Sequence, residues 1–369
     1  MRKTPLHHAL PASLLILALA APIIPAQPTT PYKATLPAGR EWIEASGRTE
    51  VPFGLQAGIS QQVWDAFYTP GQGASALYSA FSVRRDNAGS ACGAFWVECE
   101  IGLSSTTYTA DNMSGTFANN RGKDFAVVIP KTKLSFPATS STAKPNPFLT
   151  PFAFARPFMF QRYQSVGLMM ETKVFSASSS SPGSNFTIDA LGPAMSIKPP
   201  QGYSAPGCKA TSTGQPLNCV LAIGGLGVTK LNVTVNQAAP NSPVLLFLGQ
   251  SSDRWGNIPL PLDLGPMGAP TCFVYVDYLV NLTGNADGQG TWTTSLTIPS
   301  SVPSGYPVYG QAYVPATGMN PLGIASSNGA VVLTMGISPT SWLYDTSTPA
   351  AVSGTVRKYT GPVIALNYL

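Results

Sequence analysis

Apolar and polar residues alternate singly along much of this chain. In VECEIGL, Val97, Cys99, Ile101 and Leu103 fall on one face while Glu98 and Glu100 fall on the other, and a period of two predicts a half-buried strand. DFAVVIP (Asp124 to Pro130), VGLMMETKVF (Val166 to Phe175) and NFTIDAL read as further strands, with NNRG turning the chain between VECEIGL and DFAVVIP. Later come LNVTVN, PVLLFLG, CFVYVDYLVNL, TWTTSLTIP, VYGQAYV and AVVLTMG, separated by Gly, Pro, Asn and Asp clusters at sandwich spacing. GNADGQG (Gly284 to Gly290) puts Asp287-Gly288 between two strands, where a hairpin turn is expected. No helical period persists beyond a few turns. The pattern predicts an all-β protein.

Breaks in the pattern suggest the organisation. A Pro-rich leader runs from Pro25 to Pro37, and strands are expected to begin near Val51. SASSSSPGSN (Ser176 to Asn185) reads as a flexible loop. IKPPQGYSAPG (Ile197 to Gly207) reads as a domain boundary, because its prolines and glycines suit neither sheet nor helix.

Composition agrees with this fold class. The 369 residues suffice for two cores, and 44% hydrophobic content argues against disorder. Only 10% of residues are charged, while Gly and Pro number 35 each, a mix suited to short strands and tight turns. The net charge of +5 is scattered without a basic stripe, which argues against a nucleic-acid partner. Arg84-Arg85 reads as a local pair on a solvated strand edge.

At the N-terminus, Arg2 and Lys3 precede an apolar run from Leu14 to Ala21, followed by small residues. This is the pattern of a signal peptide over 1–26, with cleavage after Ala20 or Ala26. Export follows, to the cell surface or beyond it, and no later run is apolar enough for a transmembrane helix. Cleavage would remove His7 and His8, the 2 histidines of the chain. Ser-His-Asp and Cys-His catalysis and His-ligated zinc are then excluded. Export also permits disulfides among Cys92, Cys99, Cys208, Cys219 and Cys272. Cys92–Cys99 and Cys208–Cys219 are the natural local pairs; alternatively Cys272 bridges to Cys208 or Cys219.

The stretch PVLLFLGQSS…IPLPLDLGPMGAPTCFVYVD…GQGTWTTSLTIPSS…PVYGQAYVP…SSNGAVVLTMG resembles a β-sandwich module of secreted, uncharacterised proteins of environmental bacteria, over much of 206–336. QQVW, FSVRRD, IGLSST, FANNRGKD and PFMF…GLMMET resemble a second such module. In single-module relatives a closing segment like LYDTSTPAAVSGTV…GPVIALNY follows NFTIDA directly, whereas here it comes only after the other module. The resemblance therefore implies two sandwiches of jelly-roll or Ig-like type. One comprises 27–197 plus 337–369, and the other, 198–336, is inserted into it; two modules in tandem is the rival arrangement. The resemblance transfers no catalytic residue.

Candidate chemistry is sparse. Glu98 and Glu100 could form a glycosidase pair or a calcium site, but the wet face of a sandwich explains the alternation. Asn285, Asp287 and Gln289 lack the acidic succession of a calcium loop, and GGLG (Gly224 to Gly227) lacks a P-loop's Lys-Ser/Thr pair. Trp42, Trp64, Trp96, Trp255, Trp292 and Trp342 could stack on sugars, although core packing is the ordinary fate of Trp. Trp255, in SSDRWGN between strands, is the speculative carbohydrate-binding residue. The expected function is a secreted, non-enzymatic structural, adhesive or ligand-display role. A carbohydrate-binding module using exposed Trp is the alternative, and a carboxylate-dependent glycosidase the second alternative. No catalytic residue, metal or cofactor is assigned; surface polysaccharide or another extracellular protein is the kind of partner this reading admits.

Overall fold

Phe95–Thr106 carries out the alternation its sequence shows. Val97, Cys99, Ile101 and Leu103 are buried, while Trp96, Glu98 and Glu100 stay half-buried on the opposite face. This computed structural model describes residues 32–45, 47–54, 56–66, 75–87, 91–140, 143–178, 186–191, 201–212, 214–224, 230–302, 305–334 and 340–368. The expected signal peptide over 1–26, most of the Ser-rich loop and the end of GGLG lie outside the described residues. Among the described residues helix is confined to short turns, and the protein is an all-β sandwich fold. No helix among the described residues is long and apolar enough to cross a membrane.

Phe95–Thr106 belongs to a broad antiparallel sheet ordered Thr355–Lys358, Thr340–Asp345, Gly58–Asp65, Gly167–Ala177, Phe95–Thr106, Ala126–Phe136. A terminal sheet, ordered Tyr32–Leu36, Ile364–Tyr368, Ser75–Val83, Phe152–Gln161, packs against it. Their shared core takes Phe81, Phe158 and Leu366 from one side and Trp64, Ile101, Phe136 and Leu168 from the other. The outer face of the broad sheet is covered by Met113 and Phe117 over Ile59, Val63, Met169 and Leu343.

A second set of strands lies between residues 201 and 333. A long sheet ordered Gln201–Tyr203, Ala330–Leu333, Pro307–Pro315, Pro243–Gly249, Val280–Asn285 faces a three-stranded sheet of Asn218–Gly224, Lys230–Asn236 and Trp292–Thr297. Val244, Leu246, Ala312 and Val332 meet Leu221, Val233 and Val235 between them. Among the described residues, strands of 32–191 and 340–368 pair only with one another, as do strands of 201–333. The two connections, 192–200 and 335–339, lie outside the described residues.

The two sets nevertheless hold together as one compact unit. Residues 39–45 form the wedge between them. Trp42 and Ile43 join Tyr275, Val276, Tyr309, Val331 and Leu333 in a separate apolar cluster. Trp42 meets Tyr275 and Tyr309 edge-on at 6.2 and 5.9 Å. Gly39, at φ +84°, sits where a Cβ would come within 2.5 Å of Leu333; both its backbone conformation and its close approach require glycine.

Four sequence expectations need correction. Strands begin at Tyr32–Leu36 and Gly47–Thr49, ahead of Val51. Prolines flanking PYKATLP suggested a leader, yet Tyr32–Leu36 is an edge strand, where neighbouring prolines are tolerated. Gln201–Tyr203, inside the expected boundary, pairs with Ala330–Val332 as another edge. CFVYVDYLVNL is not one strand: Phe273–Val274 and Val280–Asn285 are separated at Asp277, whose carboxylate accepts the Gln250 and Ser251 N–H groups at 2.8 and 2.9 Å. Finally, GNADGQG is no hairpin. It links Val280–Asn285 of the long sheet to Trp292–Thr297 of the facing sheet, and Asp287 organises that crossing by accepting the Gln289 and Thr291 N–H groups.

Candidate functional site

Trp255 lies on a small β-arm, Arg254–Trp255 paired with Ile258–Pro259, turned by Gly256 at φ +58°. It is thus on a short strand rather than in an irregular loop. Trp255 is 39% exposed and Ile258 37%. The base of the arm is clamped to the opposite strand set. Asp253 accepts hydrogen bonds from the hydroxyls of Ser251 and Tyr368. Tyr32 donates to the Asn257 carbonyl at 2.8 Å, and Ser252 donates to Glu41 Oε1 at 2.8 Å. The Arg254 guanidinium lies over the rings of Tyr32 and Tyr368, 5.6 and 5.4 Å from their centroids. Burial, and then the Asp253 charge, push the Tyr368 hydroxyl well above its ordinary pKa. Burial also raises Glu41, against the donors Tyr309 and Ser252, and lowers Arg40 to about 10.

The other tryptophans are packed or partnered. Trp64 is fully buried, Trp42 sits in the wedge, and Trp292 packs on the second core. Trp96 lies under Lys133 Nζ at 4.1 Å, and Trp342 stacks on Tyr344 at 4.4 Å.

The carboxylates singled out in the sequence are held in the framework. Glu98 pairs with Lys131 at 3.4 Å and accepts from Ser176; Glu100 pairs with Lys173 at 2.9 Å. The more demanding acid is Glu171, buried on the neighbouring strand. It takes a two-point contact from Arg121 at 2.8 Å and a hydrogen bond from Gln61 Nε2 at 2.7 Å. NNRG therefore does more than turn the chain: the helical turn Phe117–Asn120 delivers Arg121 to Glu171.

Arg84-Arg85 is not a solvated edge. Arg84 is completely buried and Arg85 nearly so. Arg84 pairs with buried Asp189 and donates to the Arg40 and Ile43 carbonyls at 2.8 and 2.5 Å. A charge removed from water needs such partners. Asp189 also accepts the Ala45 N–H at 2.9 Å, and its burial raises its pKa. Sequence reasoning missed this pair, although a lone Asp among the apolar residues of IDAL was its signal. Glu44, Asp86 and Asp189 bring ligand oxygens within 4.8 Å of one another, a spacing able to hold a metal. Arg84 already pairs with Asp189 of this group.

The cysteines depart from the local pairing. Cys208 bridges to Cys272, 64 residues on, as the alternative pairing allowed. Cys92, Cys99 and Cys219 are buried free thiols. Cys99 and Cys219 are themselves fully buried, and burial pushes both thiols up to about 12. A cavity lined by Phe53, Gln62, Trp342 and Pro362 has room for about one water, too little for a sugar. No protein-family model and no curated protein matches this chain.

Proposed function

We propose that this is an exported, non-enzymatic structural, adhesive or ligand-display protein, with residues 198–336 forming a domain inserted into the one built from 27–197 and 337–369. The observation that carries the reading is the arm. Trp255 and Ile258 face solvent, while Asp253, Arg254 and Asn257 below them are fixed to Tyr32 and Tyr368. A preorganised aromatic loses little freedom when it meets a ligand. The separate strand pairing of the two sets supports insertion. The leader pattern, the disulfide and the resemblance to secreted sandwich modules support export. The engaged state of Glu98, Glu100 and Glu171 speaks against carboxylate catalysis.

A second reading, carbohydrate binding through Trp255, draws on the same exposed ring. Insoluble-polysaccharide pull-down and a glycan array separate the two. Retention that disappears in Trp255→Ala selects the carbohydrate reading. Turnover of a chromogenic glycoside library, abolished in Glu98→Gln, would overturn the non-enzymatic one. Mass spectrometry of the extracellular product should find Ala21 or Gln27 at its N-terminus.

A further inference from the structure

Residues 84–86, 146–148 and 187–189 lie side by side. Arg84 bridges Phe148 on one edge and Arg85 bridges Ile188 on the other, both antiparallel. Carried one residue further, these registers set Asn146, Asp86 and Thr187 in a row, and the Asp86 N–H donates to the Thr187 carbonyl at 2.9 Å. Val83, Phe186 and Ile188 point into the first core. Alternation turns Asp86, Thr187 and Asp189 to the opposite face, together with Arg84, whose guanidinium lies 5.2 Å from the Phe148 ring. Glu44 reaches this face from the wedge. Its Oε1 accepts the Asn87 N–H at 3.1 Å, and its neighbour Ala45 donates to Asp189 at 2.9 Å.

Buried oxygens without donors gather there. Asn146 is 4% exposed and Thr187 6%. Asn146 Oδ1, Thr187 Oγ1 and Glu44 Oε2 are all buried and lack a hydrogen-bond partner among the described residues. The Asn146 amide has a fixed orientation, because its Nδ2 donates to the Arg85 carbonyl at 3.0 Å and a flip would set oxygen against oxygen. Unpaired buried oxygens are costly, and each one calls for an explanation. Glu44, Asp86 and Asp189 meanwhile bring ligand oxygens within 4.8 Å of one another, about twice the length of a calcium–oxygen bond. The two neutral oxygens flank Asp86 on either side.

We propose that this face binds one calcium ion, with Glu44, Asp86 and Asp189 as carboxylate ligands and Asn146 Oδ1 and Thr187 Oγ1 as neutral ones. Every donor is a hard oxygen, which favours calcium or magnesium over metals that seek thiolate or imidazole. Ligands drawn from separate segments suit the irregular shell of calcium better than the strict octahedron of magnesium, which keeps most of its water. The Asp189 oxygens that accept from Ala45 and Arg84 each retain a second lone pair. Arg84 by direct pairing and Arg40 through its charge act on Asp189 and oppose a second cation. A weak dissociation constant of roughly 0.1–1 mM is therefore expected. The ion ties Glu44, and with it the wedge of residues 39–45, to the first strand set. The inference stands apart from Trp255 and its ligand.

Calorimetric titration of the EDTA-treated full chain with calcium chloride tests it. One ion per chain should bind, and about 10 mM calcium should raise the melting temperature by about 3 °C. Amide exchange over 84–87 and 186–189 should slow in parallel. Glu44→Gln and Asn146→Ala should each weaken binding about tenfold. Glu98→Gln, on the charged sheet face that the sequence also offered as a calcium site, should bind like the wild type. No binding up to about 10 mM calcium overturns the proposal. So does binding that Glu44→Gln and Asn146→Ala both leave intact, or binding lost in Glu98→Gln. If the variants misfold, wild-type exchange over 84–87 and 186–189 that calcium leaves unchanged is the overturning result. Displacement of calcium by an equal concentration of magnesium overturns the choice of ion.

Discussion

The strand set of 32–191 and 340–368 fills its core with large rings, among them Trp64, Tyr78, Phe81, Phe136, Phe160 and Phe186. The set of 201–333 uses Ala, Val and Leu, including Ala312, Ala325 and Ala330, and adds the Cys208–Cys272 bridge. Aromatic side chains bury large areas, and that gain can offset the desolvation of the Arg84–Asp189 pair held beside them. Small aliphatic residues bury less per side chain. A covalent tie that restricts the unfolded chain compensates there. The same fold class is thus held in one region by bulk and an internal ion pair, and in the other by close packing and a crosslink.

Substitutions can break this contrast, beginning with the ion pair. Arg84→Leu leaves the Asp189 carboxylate buried without its cation and should cost about 4 kcal/mol in urea unfolding, the range seen when one partner of a buried pair is removed. A loss below about 1 kcal/mol would mean the pair adds nothing to the aromatic core. Replacing both Cys208 and Cys272 by Ser should cost about 3 kcal/mol by the same measurement. If the contrast holds, that loss falls on the second strand set, and amide exchange should accelerate in 201–333 more than in the broad sheet.

The smallest effect tests what the two cores share. Burial raises Cys99 in one set and Cys219 in the other from 9.0 to about 12. The unfolded chain releases these protons as pH climbs past 9 while the folded protein keeps them, so stability falls between 9 and 12. At pH 10 the loss should be about 1 kcal/mol for each thiol. Urea midpoints at pH 8 and 10 measure it, and Cys99→Ala or Cys219→Ala should flatten the slope by one thiol's share whatever it does to stability at pH 8. Equal slopes in wild type and variants would place the alkaline sensitivity elsewhere.

Fold class was legible because strand alternation is a local property: Val97 to Leu103 announces its two faces without reference to the rest of the chain. What escaped was set by partners far away in sequence. PYKATLP becomes a strand because Ile364–Tyr368 lies beside it, and GNADGQG crosses between sheets because its flanking strands pair with different neighbours. Arg84 looked solvated because nothing near it in sequence announces Asp189, 105 residues on. The exposed tryptophan was found by its setting among turn residues. Its clamp, shared among Glu41, Tyr32 and Tyr368, has no local signature.

Pairing of Tyr32–Leu36 with Ile364–Tyr368 also bears on how the protein reaches its native state. Ile364–Tyr368 is an inner strand of its sheet, flanked on its other side by Ser75–Val83. During vectorial synthesis, residues 201–333 can collapse on contacts of their own while Ser75–Val83 still waits for its neighbour. The earliest of the described strands to emerge finds its mate last. A nascent chain halted before residue 364 would hold that half-made sheet open, with Phe81 and Val83 the surfaces a holdase would have to shield.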